Sequence, residues 1–179
     1  MMLKHFAPTT DPVVSEYVEK IAYRLENALP GTRRIAVVVD QSGEEPPVLP
    51  DGTVVISERS ILTAQDEAEF AGIVAHAMAH AALKRFSFPV IPLNGFENSP
   101  AYAPMKAMQR QVEIDADRRA VRAMIQSGFD PSAFVRYVAR TQPDAARLGE
   151  MRWELSLWQP REYTQSGEFA SIQKRLRAN

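Results

Sequence analysis

Residues 66–85 read DEAEFAGIVAHAMAHAALKR, and this stretch organises the reading of the whole chain. It lies in a helical pattern over about 64–85. Glu67 and Glu69 complement the positive end of the helix dipole, and Lys84 and Arg85 complement the negative end. Thr63, with Asp66 three residues later, supplies a capping signal. Phe70, Ile73 and Val74, with the small Ala75, Ala77, Ala79, Ala81 and Ala82, describe a helix packed closely against its neighbours. His76 and His80 sit inside it, two of only three histidines in the chain, the third being His5. Residues four apart lie on one helical face, where two imidazoles can converge on one ion. A coincidental surface pair would share that spacing. In a packed helix, however, polar rings need partners.

Outward from this helix the pattern predicts an α+β domain. Val14, Tyr17, Val18, Ile21, Leu25 and Leu29 recur at helical spacing over 11–29, with Pro12 in the first turn and Pro30-Gly31 as the stop. Arg34–Val39 is a β-branched run of strand length, and Thr53–Ile56 is a second. The Gly- and Pro-bearing residues 41–50 between them read as a loop, so the two strands are expected to pair antiparallel. Further helices are expected over 105–126, stopped by Ser127-Gly128, and from Asp130-Pro131 to about Thr141. The expectation is a single domain, 1–179, with a core over about 11–141. A mostly helical extension over 142–179 would be interrupted at Pro160 and Gly167. The proline-rich, apolar residues 86–104 read either as a lid, a self-blocking segment or a partner surface, or as a loop whose aromatics finish the core.

Bulk properties narrow the function. A chain of 179 residues suits one domain with a substantial core. A formal net charge of -1 argues against a nucleic-acid surface. Lys174, Arg175 and Arg177 read as a solvated helix end rather than a binding patch. No apolar run reaches the ~18 residues of a membrane span. The chain has no cysteine, so a transition-metal site must use histidine and carboxylate.

The third ligand must come from another element. Glu113 and Asp117 share one face of the 105–126 helix. Glu113 could complete a His-His-Glu triad with a fourth position left for water. Asp117 could accept the free ring N–H of a ligand histidine and fix its tautomer. The competing role for Asp117 is an ordinary ion pair with Arg110 or Arg122.

His76-Ala77-Met78-Ala79-His80, followed by Glu113-Ile114-Asp115-Ala116-Asp117, resembles metallopeptidase family 48, whose pattern is H-E-x-x-H and then E-x-x-A-D. The family comprises gluzincin-type enzymes such as the CAAX prenyl endopeptidases, HtpX-like membrane proteases and small periplasmic peptidases. Val48–Ile56 is similar to the strand along its active-site cleft, Asp66–His76 to its lead-in, and Ala123–Pro131 to the segment after its third ligand. The resemblance implies a zincin-like fold with a small, mostly antiparallel sheet, and zinc held by His76, His80 and Glu113 with Asp117 in support. It implies endopeptidase activity on protein or peptide substrates laid along Thr53, Val54, Val55 and Ile56. It also points to the bacterial envelope with a leader removed, the cytoplasm being the alternative.

Two departures matter. Position 77 is alanine where the family has the glutamate that takes a proton from attacking water and passes it to the leaving amine. Metal ligation does not use that side chain, so zinc binding should survive while catalysis falls by at least the ~10²–10⁴-fold of general acid–base help. Either a substitution disarmed this copy, or the chain is a natural pseudo-peptidase binding zinc and peptide without cutting; the intact ligand set favours the first. In addition, no late histidine is present to stabilise an oxyanion, leaving Arg118, Arg119, Arg161 and Tyr163 as candidates by residue type alone.

Overall fold

The computed structural model of the chain describes residues 7–29, 36–41, 48–49, 52–84, 99–159, 163 and 166–178. The elements run α1 (Pro12–Glu26), β1 (Val37–Asp40), β2 (Val54–Ser57), α2 (Glu58–Thr63), α3 (Glu67–Lys84), α4 (Tyr102–Ser127), α5 (Pro131–Thr141), α6 (Ala145–Ser156) and α7 (Glu168–Ala178). Helix makes up 71% of the described residues, and their sheet has two short strands. The expected α+β zincin-like fold with a mostly antiparallel sheet is therefore wrong. The domain is mostly helical, and β1 pairs with β2 in parallel, Val37 opposite Val54 and Asp40 opposite Ser57.

The sequence separation of the strands permits this. Residues 41–53 are long enough for the crossover of about a dozen residues that parallel strands need, whereas an antiparallel pair is usually closed by a tight hairpin. The antiparallel contact that β1 does make is with the chain's start, through a bridge between Pro8 and Asp40. There Thr9 N–H donates to Val39 O (2.8 Å) and Gln41 N–H to Ala7 O (2.9 Å). Both strands are largely buried, as a parallel pair covered by helices should be.

Asp11 and Asp130 cap α1 and α5 as their sequences suggest, each accepting a backbone N–H with proline just inside the helix. Gly128 (φ 76°) ends α4 in the left-handed conformation that glycine adopts without penalty. The capping of α3 differs from expectation. Thr63 is the last residue of α2, a short helix the pattern did not resolve, capped by Ser57. Asp66 accepts the Glu69 N–H (2.8 Å), and Glu69 reaches back to the Gln65 N–H (2.9 Å). This reciprocal pairing satisfies two donors at the helix start.

Helix α3 is the buried axis of the domain, packed on α4 and α5, with β2 alongside. Its small residues permit this. A Cβ on Gly72 would lie 2.4 Å from Phe134 Cβ, so glycine here sets how closely α5 approaches α3. Two acids at its start are held away from the histidines: Glu69 is paired with Arg140 (2.8 and 3.0 Å), and Glu67 accepts from Tyr17 Oη (3.0 Å) and the Ser166 N–H (2.7 Å). Among the described residues no helix is long and apolar enough to cross a membrane. Most of the 86–104 loop, namely 86–98, and Arg161 lie outside the described residues.

Candidate metal centre

His76 and His80 stand one turn apart on α3, and Glu113 faces them from α4. His76 Nε2 and His80 Nε2 are 3.0 Å apart, His80 Nε2 and Glu113 Oε1 3.2 Å, and His76 Nε2 and Glu113 Oε2 3.5 Å. The residues are partly exposed, so an ion could reach them from solvent. A tetrahedral ion with bonds of about 2.0–2.1 Å holds its ligand atoms about 3.3 Å apart. The contacts among the three residues, made by the two nitrogens to each other and to different oxygens of Glu113, lie close to that figure. The triangle of side chains can therefore hold a metal ion, and two nitrogens with a carboxylate suit a borderline-soft cation.

Behind the triangle lies a charged layer. Asp117, four residues after Glu113 and fully buried, places Oδ1 2.9 Å from His76 Nδ1, with the ring N–H off the line to the oxygen. On its other side Asp117 is gripped by Arg147 of α6, Nε to Oδ2 at 2.7 Å and Nη2 to Oδ1 at 2.9 Å. Arg147 also approaches Glu113 Oε2 (3.6 Å) and donates to Gln142 Oε1 (2.9 Å). The partner of Asp117 is thus neither Arg110, which pairs with Asp144, nor Arg122, which pairs with Glu154. Asp144 caps α6 through the N–H groups of Ala146 and Arg147, fixing where the guanidinium starts.

The charges shape the titration of the site. Burial works against an imidazolium at His76, but Asp117 and Glu113 outweigh it and hold its pKa above the usual histidine range. Burial likewise opposes ionisation of Glu113 and Asp117. The two histidines nevertheless keep Glu113 well below the usual carboxylate range, and His76 with Arg147 does the same for Asp117.

The triangle opens into a cleft of about 640 Å³. Its walls include Ile73, His76, Ala77 and His80 of α3, Glu113 of α4, Phe134, Tyr137, Val138 and Thr141 of α5, and Arg147 of α6. Val48 and the β2 residues Val55, Ile56 and Ser57 close another side. Of the four expected substrate-strand residues, Val55 and Ile56 therefore reach the cleft. Val54 is fully buried in the core, and Thr53 O accepts the Leu49 N–H (2.9 Å). Ala77 is in the wall beside the three ligands.

The oxyanion candidates do not gather here. Arg118 turns to Glu154 (3.3 Å) and stacks on Trp153, and neither Arg119 nor Tyr163 lines the cleft. Sequence reasoning missed Arg147, Phe134 and Tyr137. The last two carry a signal, because they lie three apart on the amphipathic α5. The charge pairing of Arg147, thirty residues from Asp117, leaves none. Comparison with protein-family models and with curated proteins gives no match.

Proposed function

We propose that the chain is a zinc metallopeptidase domain of the family 48 type in its site residues, disarmed at one position. His76, His80 and Glu113 would hold the zinc, and a peptide would lie in the cleft beside Val55 and Ile56, main chain to main chain. A bound zinc ion would supply Lewis acidity, polarising a carbonyl and acidifying water. The observation that carries the reading is the convergence of two imidazoles and a carboxylate from two helices on one point, with Asp117 behind the first histidine. Asp117 would hold the His76 ring so that Nε2 keeps its lone pair for the metal. The apolar walls from Ile73, Phe134 and Val138 would exclude water and receive a side chain of the peptide.

Ala77 decides between activity and binding alone. Its methyl group lies in the cleft wall where the family pattern has a carboxylate, and it cannot carry a proton. The second reading, a pseudo-peptidase that binds zinc and peptide without cleaving, rests on this residue. The test is Ala77→Glu, assayed on casein and on a peptide library with zinc present. Chelator-sensitive cleavage that appears only in the variant supports the peptidase. A variant that binds zinc stoichiometrically and cuts nothing leaves the binding module.

A further inference from the structure

We infer that Arg147, on α6 and outside the ligand set, is a positioning residue that raises the metal affinity of the His76–His80–Glu113 centre; the inference rests on the metal reading above. Five observations place it there. Its side chain is 9% exposed, and it binds both oxygens of the fully buried Asp117 through Nε and Nη2. Nη2 also lies 3.6 Å from Glu113 Oε2, so one guanidinium touches both carboxylates of α4 that face the centre. Nη1 is anchored separately by Gln142 Oε1 at 2.9 Å. Its own backbone N–H is held by the Asp144 cap at 3.2 Å.

The physical consequence has a definite sign. A guanidinium near a cation repels it, so by charge alone removing Arg147 would tighten metal binding. Positioning acts the other way. Planar bidentate pairing fixes the rotation of the Asp117 carboxylate, whose Oδ1 stands 2.9 Å from His76 Nδ1, so the negative charge that attracts the ring N–H edge of His76 is held in place. Without Arg147, two carboxylates four residues apart on α4 would repel each other, and Glu113 would lose a contact that holds it towards the histidines. Hydrogen-bonding partners behind metal ligands typically contribute ~10–100-fold in metal affinity. Positioning outweighs repulsion here because the guanidinium is tied to Asp117 at two points, while its charge is already offset by Asp117 and Glu113.

This draws the C-terminal segment into the site. The centre is assembled from α3, α4 and α6, so residues beyond Thr141 are part of the metal-binding unit.

The experiment is competitive zinc titration of the full chain against a chromophoric chelator, with a cobalt(II) absorption spectrum for geometry. Arg147→Gln and Arg147→Lys are compared with the parent protein, His80→Ala and Arg122→Gln. Arg122 bonds the buried Glu154 and so ties the same two helices, α4 and α6, about two turns further along α6. Arg147→Gln is expected to bind zinc ~10–100-fold more weakly with an altered cobalt spectrum, and Arg147→Lys to recover only part of that loss. Arg122→Gln should lower thermal stability and leave zinc affinity unchanged. Unchanged or tighter zinc binding in both Arg147 variants overturns the inference, as does an equal loss in Arg122→Gln, which would mark a general loosening of α6. If the parent chain and His80→Ala bind zinc alike, the metal reading itself fails, and the inference falls with it.

Discussion

Replacing Gly72 with alanine should destabilise the domain, although it converts a poor helix former into the best one. The added Cβ would sit 2.4 Å from Phe134 Cβ, 2.6 Å from Cγ and 2.7 Å from Cδ2. Carbon atoms pack best at ~3.5–4.0 Å, so α5 must move away or Phe134 must leave its rotamer. Overpacking of a dense core costs ~1–3 kcal/mol, and contacts this short point to the upper end. Against this stands a helix-propensity gain of ~1 kcal/mol, leaving a net loss of about 2 kcal/mol. For a domain of this size that is a fall in Tm of roughly 4–8 °C by calorimetry. The nearest clashing atom is the Cβ of Phe134, fixed to the α5 backbone, so Phe134→Leu should not rescue stability. A Gly72→Ala protein as stable as the parent or more so, or full rescue by Phe134→Leu, would refute the close approach of α3 and α5 that forms this wall of the cleft.

Arg140→Ala should cost about 2–3 kcal/mol in chemical denaturation, because it strands the buried Glu69 carboxylate with only the Gln65 N–H as donor. That is somewhat below the ~3–5 kcal/mol typical when one partner of a buried pair is removed. The same pair sets an acid dependence. Burial opposes the charge on Glu69, but Arg140 and the Gln65 N–H hold its pKa below the ordinary 4.5. A carboxylate lowered in the folded state stabilises fully above its unfolded pKa and loses that contribution as pH falls through the folded one. Denaturation midpoints should therefore drop between neutral pH and pH below about 4.5, and Glu69→Gln should flatten that drop. Asp11→Ala should cost ~1 kcal/mol by uncapping α1, with further loss from its contact with Arg175 on α7; urea unfolding would measure it.

Local chemistry was legible in the sequence where a residue acts within a turn or two of itself. Asp11-Pro12, Asp130-Pro131 and Ser127-Gly128 mark helix ends because caps and left-handed stops are short-range devices. His76 and His80 share a face because helix geometry requires it, and Glu113 meets them because α4 packs along α3. Strand direction was not legible. Val37–Val39 and Val54–Ile56 are β-branched runs that fit either orientation, so the residue types alone do not decide between them. Nor was the hold of Arg147 on Asp117. Arginines on the same helix stood nearer in sequence, but Asp144, the cap of α6, and Glu154 within α6 take them. Residues over 142–179, read as an extension, supply both the guanidinium behind the candidate metal centre and α7, whose Phe169 joins the Tyr17 and Phe70 rings.

The central claim, that His76, His80 and Glu113 hold one zinc ion, is tested most directly by dialysing the purified chain against zinc and measuring bound metal by mass spectrometry, beside His80→Ala. One zinc per parent chain and none above background in the variant is the expected result. Absence of zinc from the parent, or equal zinc in both proteins, would contradict it.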